Sequence, residues 1–487
     1  MPEANRPLRA IIVGAGPMGC LLAAELRRRG FDVDLYERNG PPGQGPEVRG
    51  RSFNLTLTYR GLSCLGRRQR EAIYAAGVKL PQRIVHRRDG SVTYQPYGVE
   101  QHHHLLSIPR SALHRILLEQ AVAEGARVHY GHTCVAADAR RAEATFVTSA
   151  GGVSRARGDL LAGCDGANSL VRHELSKSGA RMRISQEYIP HGHVEIGTDV
   201  HDERAMRWRL GDPRRIDGRR PGMHLWPRGD YFLQAQPNLD GTFTTTLFMP
   251  LERAGANLRF RGLRDREAVR GLFARDFPDI APALPRLAEE VHDVRPAQLK
   301  LVRCAPYHHE RAVLLGDAAH TLVPFYGQGI NCSFEDVAVL CSLYDRHRRT
   351  TGDPRAAVRP AIAEFSELRV PAGHAITELS LANLEDLSSG VGQERYHARR
   401  DLERKLHRRH PACFVPLYQM VAFTRVPYHE VVERYRWQER ALDRLCDRYD
   451  QVTEAERIIA AYPALVRGER RDEEIFELAL SSLERPA

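Results

Sequence analysis

The stretch Ala10 to Arg38, A-I-I-V-G-A-G-P-M-G-C-L-L-A-A-E-L-R-R-R-G-F-D-V-D-L-Y-E-R, limits the possible folds more than any other part of the chain. The apolar run Ala10 to Val13 is short and stops abruptly at glycine, which marks a buried strand. Gly14, Gly16 and Gly19 follow at G-x-G-x-x-G spacing. Cys20 to Arg29 is rich in helix formers and gathers its arginines in the last turn, where they complement the helix dipole. A second strand, Asp32 to Tyr36, ends at Glu37. The three glycines serve a tight turn, a close backbone approach to a pyrophosphate, and close packing of helix on strand. The helix start offers unpaired N–H groups to phosphate, and Glu37 stands where it can accept hydrogen bonds from a ribose. An isolated G-x-G-x-x-G often marks only a turn. Here strand, glycines, helix, second strand and acid occur in the required order, which predicts a bound dinucleotide without choosing which one.

Charge narrows the partners. The formal net charge of +10 is carried almost wholly by arginine, with lysine only at Lys79, Lys177, Lys300 and Lys405. The basic residues are interleaved with acids, as in Arg400 to Arg409, and no arginine-rich face with interleaved aromatics marks a nucleic-acid site. A modest positive field that attracts an anionic cofactor and a carboxylate substrate is the better use of this charge. The nine cysteines include no C-x-x-C pair or zinc-like spacing, and several lie in apolar runs (Cys20, Cys164, Cys341), as expected of reduced thiols in a cytoplasmic protein. No basic-then-apolar leader and no apolar run near 18 residues is visible, so no membrane span is expected. The 487 residues provide for two or three domains.

Beyond Glu37, Asn39 to Gly50 reads as a Pro/Gly-rich loop and Arg51 to Thr58 as a strand. Gly61 to Ala76 reads as a helix, and two strands follow, joined by the Asp89-Gly90 turn. The triplet His102 to His104 is expected to be a solvated loop, because three adjacent side chains of an extended segment do not converge on one metal ion. Ser111 to Glu124 is an amphipathic helix. Asp159 to Arg172, D-L-L-A-G-C-D-G-A-N-S-L-V-R, runs a buried strand into Asp165-Gly166. From Met182 to Leu299 short alternating strands predict a mostly antiparallel sheet. Then a strand at Arg311 to Leu315, the acid Asp317, a glycine-rich loop and a helix from Gly327 to about Arg346 again make a place for an anionic, planar cofactor. The remainder, from Arg355, reads as helices, with irregular parts at Leu387 to Gly392 and Arg409 to Pro416.

Taken together, G-A-G-P-M-G with Glu37, the D-G of Gly163 to Arg172, and G-D-A-A-H with G-Q-G-I-N resemble the three fingerprints of the class A flavoprotein aromatic hydroxylases. The segments G-R-S-F-N-L-T-L-T-Y-R-G, I-P-H-G-H-V-E-I, L-W-P-R-G, F-T-T-T-L-F-M-P-L-E, V-P-F-Y-G-Q-G-I-N and P-L-Y-Q-M-V-A-F-T-R-V-P-Y-H narrow the resemblance to the kynurenine 3-monooxygenase family, up to about Leu445. It implies FAD as cofactor, held at Gly14, Gly16, Met18, Gly19, Glu37, Arg38, Thr56, Arg110, Asp165, Asp317, Ile330 and Asn331. NAD(P)H would be a transient reductant that leaves no second fingerprint, so the residues do not select NADPH over NADH. The resemblance further implies that Arg83, Tyr97, Asn383 and Tyr418 hold the amino-acid end of a kynurenine-like substrate. Oxygen from O2 would be inserted ortho to the aniline nitrogen through a flavin C4a-hydroperoxide. An arginine fork suits that role, pairing a carboxylate in two parallel hydrogen bonds. No side-chain nucleophile and no metal is called for. His320 is expected to serve the cofactor loop rather than act as a base, and Phe325, Tyr326 and Phe248 to line the cavity.

The implied layout is an α/β fold. A Rossmann-like FAD-binding domain is assembled from residues 1–76, 101–180 and 300–375. An inserted substrate domain comprises a hairpin at 77–100 and a mostly antiparallel β-sheet at 181–299, and a C-terminal helical region occupies 376–487. The chain departs from the family at His193 and Gly197, where tyrosine and threonine are usual, and at Leu384 and Leu387, where tyrosine and methionine are. These changes touch a pocket wall more than a carboxylate clamp, so a ring-substituted kynurenine stands beside kynurenine itself as substrate. An FAD-dependent oxidase or reductase without oxygen insertion is the alternative on the same scaffold. Oligomeric state leaves no trace in the sequence.

Overall fold

A computed structural model describes residues 6–43, 54–98, 100–179, 181–197, 221–252, 260–284, 286–388 and 394–469. Most of the expected loop at Asn39 to Gly50, the start of the Arg51 strand and most of the Leu387 to Gly392 stretch lie outside them.

One sheet runs His308–His309, Ala312–Leu314, Leu160–Gly163, Arg9–Val13, Asp32–Tyr36, Arg127–His129. All its neighbours are parallel except the edge pair Ala312–Leu314 with His308–His309. Ile11 lies between Asp34 and Leu161 in register. Because the helix Pro17–Arg28 packs on this sheet and the three-stranded sheet Val153–Arg157, Glu143–Thr148, His132–Asp138 adds Ala144, Phe146 and Ala156 to the same core, Ala10, Ile11 and Ile12 are fully buried, which is why this strand reads as a continuous apolar run. The helix Pro17–Arg28 packs between Arg110–Ala123 and Gly329–Thr351.

Asp34 is the exception to this apolar interior, with 1% of its surface exposed. Its carboxylate accepts from Arg9 Nε at 2.7 Å, Arg127 Nε at 2.8 Å and His129 Nε2 at 2.9 Å. Burial alone would raise its pKa, but Arg127, His129 and Arg9 outweigh burial and hold the carboxyl well below the usual range. A depressed carboxyl stabilises the fold fully above the unfolded value near ~3.9 and loses that contribution as pH falls through the folded value. Asp34→Asn should therefore lower unfolding stability by about 1–3 kcal/mol at neutral pH, with the difference from the parent shrinking in acid, as urea titrations at pH 7 and below pH 3 would show.

A second sheet of eight strands runs His320–Thr321, Ala297–Ala305, Arg183–Gly197, Phe243–Pro250, Phe232–Pro237, Gly222–Pro227, Gln82–His86, Val92–Pro96. It is antiparallel throughout except where Gly222–Pro227 lies parallel to Gln82–His86. That pairing joins the hairpin from early in the chain to strands about 140 residues later. Ala297–Ala305 continues through the expected boundary at 299 and, by pairing with His320–Thr321, carries the sheet to the cofactor loop. Val358–Ser388 and Leu417–Phe423 pack on this sheet, and Tyr428–Cys446 packs on those two helices.

Two expectations need correction. Gly61 to Ala76 is not one helix but two, Tyr59–Leu62 and Arg67–Ala76, broken at a turn that ends in Gly66. His102 to His104 is not a solvated loop: His103 and His104 are buried. The His103 ring stacks on Phe423 at 4.8 Å, and His104 Nε2 meets the Tyr74 hydroxyl at 3.1 Å. Aromatic partners far along the chain draw the triplet inward, and nothing local reports them.

Candidate active site

The eight-stranded sheet, the starts of two helices and the C-terminal helices line one cavity that runs from Gly16 to Arg83 and Tyr418.

At one end stands the glycine loop. Gly14 has φ +102°, and a Cβ there would lie 2.4 Å from the Cys164 carbonyl oxygen. A Cβ on Gly19 would lie 2.0 Å from the Gly14 oxygen, so the helix is seated directly on the strand. Gly16 differs. It lines the cavity, and a Cβ there would meet nothing within 4 Å. Pro17–Arg28 begins beside it with no side-chain cap and no acid in its first turn. Gly329–Thr351 also starts uncapped at the cavity wall, next to Gly329 with open space in front. Two bare helix N-termini facing one cavity are what a pyrophosphate-containing, electron-accepting ring system requires.

Met18, Thr56, Arg110, Asp317 and Ile330 line the same cavity. Asp317 is exposed only in the sense that its surface is cavity wall; burial raises its carboxyl while His320 and Arg110 pull it back. Other expected contacts do not line this cavity with their side chains. Glu37 accepts from the Ala15 N–H at 3.1 Å and from the Asn39 side chain at 2.7 Å, so it braces the glycine loop. Arg38 is exposed at the strand end. Asp165 is turned into the helix Leu170–Lys177, accepting from the Leu170 and Val171 N–H groups at 2.7 and 3.1 Å, and its other oxygen is buried without a hydrogen bond. Its neighbours Cys164 and Gly166 reach the cavity instead. Asn331 is fully buried and laces loops together: Nδ2 donates to the carbonyls of Thr56 and Gly327 at 2.9 and 2.8 Å, and Oδ1 accepts from Thr58 N–H at 2.8 Å. Only its backbone is left for a ligand.

The substrate side follows from strand alternation. Arg83 and Val85 point to the cavity-side core, whereas Ile84 and His86 point away. Tyr97 is 8% exposed and stacks on Tyr418 at 5.3 Å; Tyr418 in turn stacks on Tyr326 at 5.4 Å. Burial raises both the Tyr97 and Tyr418 phenols, and the nearby Arg83 charge opposes the rise. Arg83, Tyr97 and Tyr418 are thus brought together. Asn383 is not in the wall: its Nδ2 donates to the Phe325 carbonyl at 2.8 Å and fixes the loop from behind, while Leu387, one turn further on, lines the cavity.

Phe248, Phe325 and Tyr326 line the cavity as expected. The sequence reading missed Gln234, Gln236, Thr244 and Thr246, which form a polar floor beside the Phe232–Phe248 pair. Their period of two was visible, but which face was inward was not. His193 sits opposite Phe248 in register, and burial lowers its imidazole to about 4, leaving it neutral at ordinary pH. His320 is buried, with Nε2 2.7 Å from Asp336. Its ligand atom lies near those of Cys332 and Asp336 at metal-like spacing, but Arg369 already occupies that place, 3.2 Å from the Cys332 sulfur and 2.7 Å from Asp336. His320 therefore belongs to an ion-pair network behind the cofactor helix.

Fold and cavity together define a flavoprotein of the FAD-binding oxygenase type. Residues 8–212 and 279–356 match the family model of the FAD binding domain. In fold the chain resembles a tetrameric 2-methyl-3-hydroxypyridine-5-carboxylic acid oxygenase (TM-score 0.61, 19% identity, 86% of this chain and 97% of that one). It also resembles PqsL of P. aeruginosa in complex with 2-aminobenzoylacetate (TM-score 0.61, 20% identity, 78% and 97%). Sequence identity is higher with kynurenine 3-monooxygenase of Salinispora arenicola, 37% over 447 residues covering 90% of this chain and 93% of the relative. With the Sus scrofa kynurenine 3-monooxygenase it is 35% over 444 residues, 89% and 87%. The chain belongs to the kynurenine 3-monooxygenase family. Among the described residues no helix is long and apolar enough to cross a membrane.

Proposed function

We propose that the protein uses NAD(P)H and O2 to hydroxylate L-kynurenine, or a ring-substituted kynurenine, ortho to its aromatic amine. The observation that carries this reading is the placement of Arg83 and Tyr418, the latter stacked on the buried Tyr97, in the same cavity as the uncapped start of Gly329–Thr351. Gly14, Gly16 and Gly19 and the two helix N-termini fit the pyrophosphate and flavin ends of FAD, and Thr56, Arg110, Asp317 and Ile330 stand ready along its length. When bound, FAD supplies the reduction of O2 and the transfer of one oxygen atom. The protein's own part is orientation and dryness. The Arg83 guanidinium takes the substrate carboxylate, and the tyrosine pair fixes the plane of the amino-acid end. Phe248, Phe325 and Leu387 keep water from the reacting ring. Overall, one C–H becomes C–OH, NAD(P)H gives up a hydride, and the second oxygen leaves as water.

Departures at His193, Leu384 and Leu387 lie along the apolar wall near Phe248 and Phe325. They support tolerance for an added ring substituent. The decisive test is turnover of the FAD-loaded protein with kynurenine under labelled O2. One labelled oxygen per product and one product per NAD(P)H support the proposal, whereas NAD(P)H consumption with peroxide alone would favour an oxidase.

A further inference from the structure

We infer that Arg60 is a positioning residue for this hydroxylation, locking the short helix that carries Tyr418 to the helix whose start faces the cofactor. The inference rests on the functional reading above and concerns a residue that touches neither substrate nor cofactor. Arg60 is completely buried. Its Nε donates to the Val421 carbonyl at 2.7 Å, and Nη2 donates to the carbonyls of Val426 at 2.7 Å and Met420 at 3.3 Å. Nη1 pairs with Glu335 Oε1 at 2.7 Å, and the guanidinium lies 4.1 Å over the Tyr428 ring. The Tyr428 hydroxyl donates to Gln328 Oε1 at 3.1 Å, at the very start of Gly329–Thr351. Glu335, on that same helix, is held on its other oxygen by Arg369 at 2.7 Å.

Leu417–Phe423 has seven residues, too few to be stable by itself, so tertiary bonds decide where it sits. Its last carbonyls have no partners within the helix and depend on such bonds. Arg60 takes those of Met420 and Val421. From the helix's first turn Tyr418 stacks on Tyr97 and on Tyr326, while Gln419 Nε2 donates to the Tyr97 carbonyl at 3.2 Å. One guanidinium is therefore the common fixed point of the substrate tyrosines and of the helix on which Ile330 lines the cavity. Lysine cannot replace it, because one ammonium does not span a carboxylate and carbonyls on separate sides.

The test compares FAD-loaded wild type, Arg60→Lys and Asp34→Asn, the last a destabilised variant in the other sheet, one strand in from its edge. For Arg60→Lys, KM for kynurenine should rise by about tenfold or more, because small misplacements near a reacting centre carry large rate penalties. The ratio of hydroxylated product to NAD(P)H consumed should fall while FAD content is retained. Asp34→Asn should change stability but neither of these readouts. A wild-type KM and product ratio in Arg60→Lys would overturn the inference, leaving Arg60 as a stabilising residue only. If Arg60→Lys does not fold, Tyr428→Phe, which removes the hydroxyl bond to Gln328, should give the same split at smaller amplitude, and unchanged values there would equally overturn it. A wild-type protein that forms no hydroxylated kynurenine would sink the functional reading first, and this inference with it.

Discussion

Arg83→Ala is expected to raise the KM for kynurenine by about two to three orders of magnitude, since truncating one partner of a desolvated charge pair costs roughly 2–5 kcal/mol. The effect is specific to the carboxylate. Decarboxylated or amidated analogues, which gain nothing from a guanidinium, should be handled almost equally by parent and variant. FAD content should not change, because Arg83 lies on the strand Gln82–His86, and the glycine loop belongs to the other sheet. Arg83→Lys should recover only part of the loss, keeping charge but not the two-pronged geometry. Steady-state kinetics with kynurenine and its amide measure all of this. An unchanged KM for every carboxylate substrate in Arg83→Ala would remove the clamp assignment.

The second large effect concerns Gly16, and its value lies in the contrast with Gly19. A Cβ at Gly19 would lie 2.0 Å from the Gly14 carbonyl oxygen, so Gly19→Ala must move the helix and should destabilise the protein with or without cofactor. At Gly16 the backbone is extended, with φ −67°, and a Cβ meets nothing within 4 Å. Gly16→Val should thus leave the unfolding midpoint of the apoprotein nearly unchanged. It should still weaken FAD binding by about a hundredfold or more, roughly 3 kcal/mol, because the added methyls occupy the place where backbone and pyrophosphate must meet. Calorimetric unfolding of apoprotein and flavin fluorescence titration separate the two quantities. Tight FAD binding by a well-folded Gly16→Val protein would mean that the pyrophosphate lies elsewhere.

The parts of the fold legible in the sequence are those whose determinants are local. Ala10 to Glu37 could be read almost residue by residue because a buried parallel strand, a glycine turn and a dipole-matched helix each demand particular residue types in a fixed order. The hairpin around Asp89-Gly90 and the alternating strands between Met182 and Leu299 were legible from turn chemistry and alternation. Long-range partners were not. Nothing in Gln82–His86 announces a parallel neighbour at Gly222–Pro227, and nothing in His102 to His104 announces Phe423. At the site, Asp165 and Asn331 carry groups that suit a cofactor, yet their side chains are engaged by a helix start and two loops. Short polar side chains serve a ligand and a backbone equally well. Only the position of that backbone separates the two uses.

The cavity holds no partition between Gly16 at one end and Arg83 with Tyr418 at the other. A flavin seated there would supply the missing wall of the amino-acid chamber, so the prosthetic group would also be masonry. On the proposed reading, the polypeptide without it would retain the guanidinium but offer kynurenine a hall rather than a room, and amino-acid affinity would belong to the holoprotein alone.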